Sequence, residues 1–260
     1  MDKEAGGIAL AIPRFFGYNI RMVLLNLSEL INDPLGFLKQ LACILPVMLL
    51  SLTLHEWGHA FAAYKCGDPT ARNLGRMTLN PIAHIDPIGL LMILLVGFGW
   101  AKPVPVDSRY FKNPKVGMAI TAFMGPVANL IAALAGLFVF HTLWCIVPTF
   151  FTAGGFGSYV LAFLQFYIIV NVNLAVFNLL PIPPLDGSKI LFVFLPDKAV
   201  MFFYRYQMFF MIGLIVLLWA GPLSYVLTFL SRGALYGIYQ FSTLPFRLFG
   251  QSTVPFNALF

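Results

Sequence analysis

Leu41-Ala42-Cys43-Ile44-Leu45-Pro46-Val47-Met48-Leu49-Leu50-Ser51-Leu52-Thr53-Leu54-His55-Glu56-Trp57-Gly58-His59 is the stretch on which the reading of this chain turns. From Leu41 to Leu54 there is no charge, and then His55, Glu56 and His59 arrive together. Ionisable side chains inside a membrane-grade apolar run are costly and mark function by default. On a helix, positions i and i+4 share a face, so both imidazoles can reach a single Zn²⁺. Glu56 follows the first of them, placed to take a proton from water that such an ion activates. A pattern this short recurs by chance, and the bland alternative is a helix whose two histidines fall one turn apart. The charge-free approach to the motif argues against that alternative.

Composition agrees. Of 260 residues, 60% are hydrophobic and 10% charged, and the mean hydropathy is +0.85. A soluble domain carries about 25% charged residues, so the chain is an integral membrane protein. Several apolar stretches approach the roughly 20 residues that cross a bilayer as helix. The net charge of +6 raises nucleic acid as a partner. The basic residues, however, sit in short loops between apolar segments, which is the distribution of positive-inside topology. The lipid bilayer is therefore the expected partner, and no nucleic acid. Cys43, Cys66 and Cys145 are odd in number and lack CxxC spacing, which indicates neither a disulfide framework nor a cysteine zinc site. Acidic residues and no clear cleavage site at the N-terminus argue against a removable signal peptide.

Toward the N-terminus, Arg14, Arg21 and Ser28 recur every seventh residue among apolar neighbours. That stripe predicts an amphipathic segment over 1–34 that lies in the membrane interface without crossing it. In the other direction, the apolar helix over 36–66 should stop at Gly67-Asp68-Pro69. The polar loop from Thr70 to Pro81 has room for a short hairpin. His84 and Asp86 follow and are rival metal ligands; no third ligand accompanies them, and they read as loop hydrogen-bonders ahead of Pro87. Residues 88–99 are apolar but too short to span, which suits a half-membrane element.

Trp100-Ala101-Lys102-Pro103-Val104-Pro105-Val106 cannot be helical, because alternate prolines forbid it. An extended edge is expected there. The N–H groups of Lys102, Val104 and Val106 could pair with an extended substrate by strand addition, or the segment could be a rigid connector. Residues 116–147 and 158–177 are the next spans. Gly125-Pro126-Val127-Ala128-Asn129 lies within the first, where small residues allow close packing and a buried Asn129 needs partners. Met208–Leu230 is expected as the last span, followed by an aromatic-rich tail at 231–260 that lies along the interface or gates the core.

The second informative stretch is Asn178-Leu179-Leu180-Pro181-Ile182-Pro183-Pro184-Leu185-Asp186-Gly187. Its prolines force irregular backbone at membrane depth, tolerated only where it is buried in protein or lines a wet cavity. Asp186 has few reasons to be there unless it binds a cation. Two histidines and one carboxylate leave a fourth position open, as in catalytic rather than structural zinc sites. The loops over 65–115 hold Lys65, Arg72, Arg76, Lys102, Arg109, Lys112 and Lys115, while the turn at 148–157 holds no charge. Positive-inside bias puts the end of the His55–His59 helix, and the Asp186 loop, toward the cytoplasm.

Taken together, the two motifs and the Gly125–Asn129 span resemble the site-2 protease family of intramembrane zinc metalloproteases, in its compact bacterial branch without PDZ or CBS domain. The resemblance covers residues 38–195. It implies that His55, His59 and Asp186 hold one Zn²⁺ per chain, that Glu56 is the general base, and that Asn178 acts beside the substrate. The fold expected is an all-α polytopic membrane protein of roughly four to six membrane segments, one of them a half-membrane element. A short β-like edge or hairpin lies near the active site. Residues 1–34 form an interfacial segment, 35–230 the protease core and 231–260 the tail. Substrates implied by the family are single-pass membrane proteins, already trimmed by another protease. They are cut within or near their membrane segments, in regulated proteolysis or in clearance of membrane-embedded remnants. The location implied is the bacterial inner membrane. The competing class is a zinc protein without proteolysis, either a metal transporter or an inactive homologue. A transporter needs ligands along a path across the bilayer, and an inactive homologue usually loses the Glu or a ligand.

Overall fold

The computed structural model describes residues 32–96, 101–152 and 155–260. The stripe of Arg14, Arg21 and Ser28, and Trp100 of the extended segment, lie outside the described residues. Helix α1 (Pro34–Lys65) carries the His55–His59 motif toward its C-terminal end. Pro34 suits its first turn, where the missing N–H has no intrahelical partner anyway. The helix ends where expected: Gly67 takes a positive φ of 110°, and Asp68 N–H closes back onto the Ala63 carbonyl at 2.9 Å.

No hairpin follows. Pro69 instead starts a short turn of helix, α2 (Thr70–Asn73), because its fixed φ is already helical and its missing N–H costs nothing at that position. A 3-10 turn at Pro81–His84 leads into α3 (Pro87–Val96). At ten residues and about 1.5 Å rise each, α3 reaches only partway across a bilayer. Helices α4 (Pro114–Ile146), α5 (Pro148–Thr152) and α6 (Phe156–Asn178) come next, and α4 is capped by the Asn113 side chain. The Asp186 segment forms α7 (Asp186–Leu191). Helices α8 (Asp197–Arg205), α9 (Gln207–Ala220), α10 (Pro222–Leu248) and α11 (Phe256–Leu259) complete the chain.

The protein is all-α and polytopic, with no strand among the described residues. Among the described residues, helices α4 and α6 are long and apolar enough to cross a membrane, and α8 with the first turns of α9, bent by 66°, is either a broken third span or a re-entrant loop. The expected last span at Met208–Leu230 is instead divided at Gly221, which takes φ 99°. Pro222 has no N–H to continue the α9 ladder, so the Gly-Pro pair ends one helix and opens the next.

Helices α1, α4 and α6 pack against one another and carry the site. Lipid tails are as apolar as leucine, so packing rather than water drives helix association in a bilayer, and small residues gather at the contacts. Ala60 and Ala63 of α1 are buried, as are Ala122, Ala132 and Ala133 of α4. Leu137 and Phe140 of α4, Ile168 and Val172 of α6, and Leu235 and Tyr239 of α10 form one apolar cluster. Val254 and Leu259 join it, and the Tyr239 hydroxyl donates to the Val254 carbonyl. Residues 231–259 thus fold onto α4 and α6. Leu180 and Leu185 pack with Leu214 of α9 and Leu227 of α10, which anchors the irregular 179–185 segment within the bundle.

Candidate metal centre and its surroundings

Asp186 meets the two histidines across a separation of more than a hundred residues in the chain. Its Oδ2 lies 3.1 Å from His55 Nε2 and 3.0 Å from His59 Nε2, and the two Nε2 atoms are 3.0 Å apart. All three side chains are buried. The i, i+4 spacing on α1 supplies the two imidazoles from one face.

The protons on those rings follow from their partners. His59 Nδ1 faces the Thr121 carbonyl at 2.7 Å, and a carbonyl only accepts, so Nδ1 carries the hydrogen. His55 Nδ1 faces Asn129 Oδ1 at 2.7 Å. The Asn129 amide is oriented by its other contacts: Nδ2 donates to the Ser51 carbonyl at 2.9 Å and to Asn171 Oδ1 at 2.8 Å. Asn171 Nδ2 in turn donates to Ser51 Oγ and to the Tyr167 carbonyl, both at 2.8 Å. With Asn129 Nδ2 so committed, its oxygen accepts from His55, and His55 Nδ1 is protonated. In the neutral imidazoles that bind a metal, both Nε2 atoms then present lone pairs toward Asp186 Oδ2. Two imidazole nitrogens and a carboxylate oxygen converging within hydrogen-bonding distance in a buried site are a place for a cation. The N, N, O donor set is that of a catalytic zinc centre, and it fits one Zn²⁺.

Close helix approach makes this arrangement possible. A Cβ on Gly125 of α4 would lie 2.4 Å from His59 Cε1 and 2.8 Å from His55 Cε1, so only glycine lets the imidazole pair rest on α4. Gly58, inside the motif, would place a Cβ 2.6 Å from the Met124 carbonyl oxygen. A Cβ on Gly187 would lie 2.2 Å from the Leu179 carbonyl oxygen, which explains why glycine follows Asp186 where α7 folds back on the end of α6. Lys189, one turn along α7, donates to Asp186 Oδ1 at 3.0 Å and leaves Oδ2 to the histidines.

Glu56 stands outside the three-atom cluster. Its Oε2 accepts from the Val104 N–H at 2.8 Å. The Lys102 N–H is also taken, by the His84 carbonyl at 2.9 Å. Of the three donors expected on an open substrate edge, two are therefore committed within the protein. The prolines at 103 and 105 remove the alternate donors, which leaves the segment extended but not paired as a strand.

The rival ligands do not join the centre. His84 is buried with Nε2 donating to the Thr78 carbonyl at 2.9 Å, and Asp86 Oδ1 accepts from Gly89 N–H at 2.8 Å at the start of α3. Asn178 is engaged on its own helix. Its Nδ2 donates to Leu174 carbonyl, one turn back on its own helix, at 2.9 Å. Sequence reasoning missed Ser51 and Asn171. The available signal was the same as for Asn129, a polar side chain within an apolar span that must find partners.

Comparison with known proteins gives the same direction. Peptidase family M50 matches residues 43–153 and 152–220. The chain is 43% identical over 158 residues to a Bacillus subtilis protein named "Putative zinc metalloprotease YwhC", covering 61% of this chain and 70% of that one. It is 34% identical over 159 residues to "Putative zinc metalloprotease Rip2" of Mycolicibacterium smegmatis, covering 59% of this chain and 58% of the relative. The Mycobacterium tuberculosis protein of the same name is 31% identical over 160 residues, with 60% and 58% covered. No solved structure matches the chain.

Proposed function

The chain belongs to peptidase family M50 and is a zinc metalloprotease, and from that premise we propose that it hydrolyses peptide bonds within or near the membrane segments of other proteins. The observation that carries this reading is the convergence of His55 Nε2, His59 Nε2 and Asp186 Oδ2 inside a bundle of apolar helices. These three residues would hold the metal. Zinc bound there supplies a Lewis acid for the scissile carbonyl and activates water at neutral pH.

The remaining work falls to the chain itself. Glu56 takes a proton from the attacking water and delivers it to the leaving amine, because it neighbours a ligand without being one. Asn129 and the Thr121 carbonyl hold the imidazoles in the tautomer that points lone pairs inward. Asn178 is assigned to the substrate backbone or the developing oxyanion, and a rotation away from the Leu174 carbonyl would free its amide for that contact. A membrane helix shields its own peptide bonds, so the substrate must unwind locally to be cut.

The substrates this reading favours are single-pass membrane proteins already shortened by another protease. The location it favours is the bacterial inner membrane, with the site toward the cytoplasm. Basic loops over 65–115 beside the uncharged turn at 148–157 support that orientation. The decisive experiment uses purified protein and a model membrane substrate, comparing wild type with Glu56→Gln. Cleavage by wild type and none by the variant, at equal zinc content, is expected. Near wild-type cleavage by Glu56→Gln would remove Glu56 from the chemistry, and a wild type that never cleaves would sink the reading.

A further inference from the structure

Asp68 is a fully buried carboxylate that the chemistry above does not use. Burying a charge is costly unless donors satisfy it. Its Oδ1 accepts from the Thr70 N–H at 2.9 Å and from the Thr70 hydroxyl, which closes the turn after α1. Its Oδ2 accepts from the Asp107 N–H at 2.8 Å, a residue 39 positions away. The Asp107 side chain is not part of this contact. It faces Arg109, whose guanidinium hydrogen bonds hold the Asp107 carboxyl below the usual carboxylate range.

The chain that leads to Asp107 is the extended segment beginning at Lys102. At its far end, the Lys102 N–H donates to the His84 carbonyl at 2.9 Å and the Lys102 carbonyl accepts from Arg76 at 2.7 Å. Between the two ends, Pro103 and Pro105 fix φ, and each restricts the residue before it. Four successive residues are thus stiff, and the segment behaves as a short rod clamped at both ends. Within 103–105 the only N–H belongs to Val104, and it is bonded to Glu56.

Resting on the assignment of Glu56 as the base, we propose that Asp68 and Arg76 are positioning residues: they clamp the Lys102–Asp107 rod so that the single Val104 N–H holds Glu56 Oε2 and leaves Oε1 to carry the proton. The alternating prolines then have a purpose distinct from substrate pairing, since they present one donor at one place. Rods of this kind transmit displacement, because only two extended residues, Pro105 and Val106, separate Asp107 from Val104, at about 3.3 Å per residue step.

The test uses the full chain with a model membrane substrate. Asp68→Asn offers one acceptor oxygen where the carboxylate offers two, so the turn and the rod cannot both be served. Its kcat should fall about 10- to 100-fold with KM within about twofold and zinc content unchanged, as expected for a misplaced catalytic group. Unchanged kcat would overturn the inference. So would a raised KM at normal kcat, which would make the rod a substrate ledge, or a raised kcat, which would make the Val104 contact a latch. In a Val104→Pro background, Asp68→Asn should bring no further loss, and independent losses would also overturn it. Should Asp68→Asn lose zinc through misfolding, Arg76→Leu at the other clamp carries the same expectations. Glu56→Gln inactive beside a fully active Asp68→Asn and Arg76→Leu would defeat the clamp alone and leave the proposed function standing.

Discussion

The His55 imidazole donates from Nδ1 to the side-chain oxygen of Asn129 at 2.7 Å, a contact that joins the motif-bearing helix to the next membrane span. Asn129 is fully buried and both of its amide hydrogens are spent, on Ser51 and on Asn171. The network therefore leaves His55 no choice of tautomer. Outer partners of this type orient a ligand and raise its basicity.

Asn129→Ala removes the acceptor for His55 and leaves Asn171 without one of its donors. Zinc affinity should fall about 10- to 100-fold, the usual cost of losing such a partner. Competition with a chelator of known affinity reads this directly. Wild-type affinity would show that α1 alone orients the ring.

Asp186→Ala takes away the only carboxylate in the cluster, and metal analysis should find zinc largely lost. His84 and Asp86 are poor substitutes, because each is already engaged in holding its own turn. Full zinc content in the variant would nonetheless return the third ligand to one of those two.

Gly125→Ala places a methyl group where the two imidazoles lie. Zinc content should drop well below that of wild type while the protein still folds. Gly237→Ala is the matched control, since nothing lies within 4 Å of a Cβ there. A Gly125→Ala variant that binds zinc as wild type does would mean that α1 and α4 separate at little cost.

Model substrates should be cut faster when a Gly, Pro or Asn lies near the scissile bond. Gly weakens a helix by about 1 kcal/mol and Pro by about 3 relative to Ala, and unwinding opposes binding. A matched series differing at one position, assayed for kcat/KM, checks this. Equal rates across the series would show that unwinding does not limit cleavage.

Much of the centre was legible in the chain because its information is local. The i, i+4 spacing puts His55 and His59 on one face of any helix, and a charge-free run before them places that helix in a membrane. The end of α1 at Gly67, and the non-helical backbone of the 102–106 and 179–185 segments, follow from glycine and proline stereochemistry alone. The Gly221-Pro222 break carries the same kind of signal, but the continuous hydrophobic run from Met208 to Leu230 masks it. The hairpin expected after Pro69 was likewise displaced by a proline that fits a helix start.

Local spacing and composition settle the class of chemistry and the medium: a paired-histidine zinc motif, a glutamate beside it, a carboxylate on a second broken element, all in an apolar chain. Tertiary structure alone decided who touches whom. Asn129 orients His55 while Asn178, more prominent in the sequence, turns back onto its own helix. The N–H of Val104 goes to Glu56, and Asp68 is sunk beneath the rod that carries it. The physical reason is that a side chain's type fixes how many hydrogen bonds it must make, whereas their allocation depends on which helices meet. Donors and acceptors far apart in the chain compete for one another only once the bundle has formed.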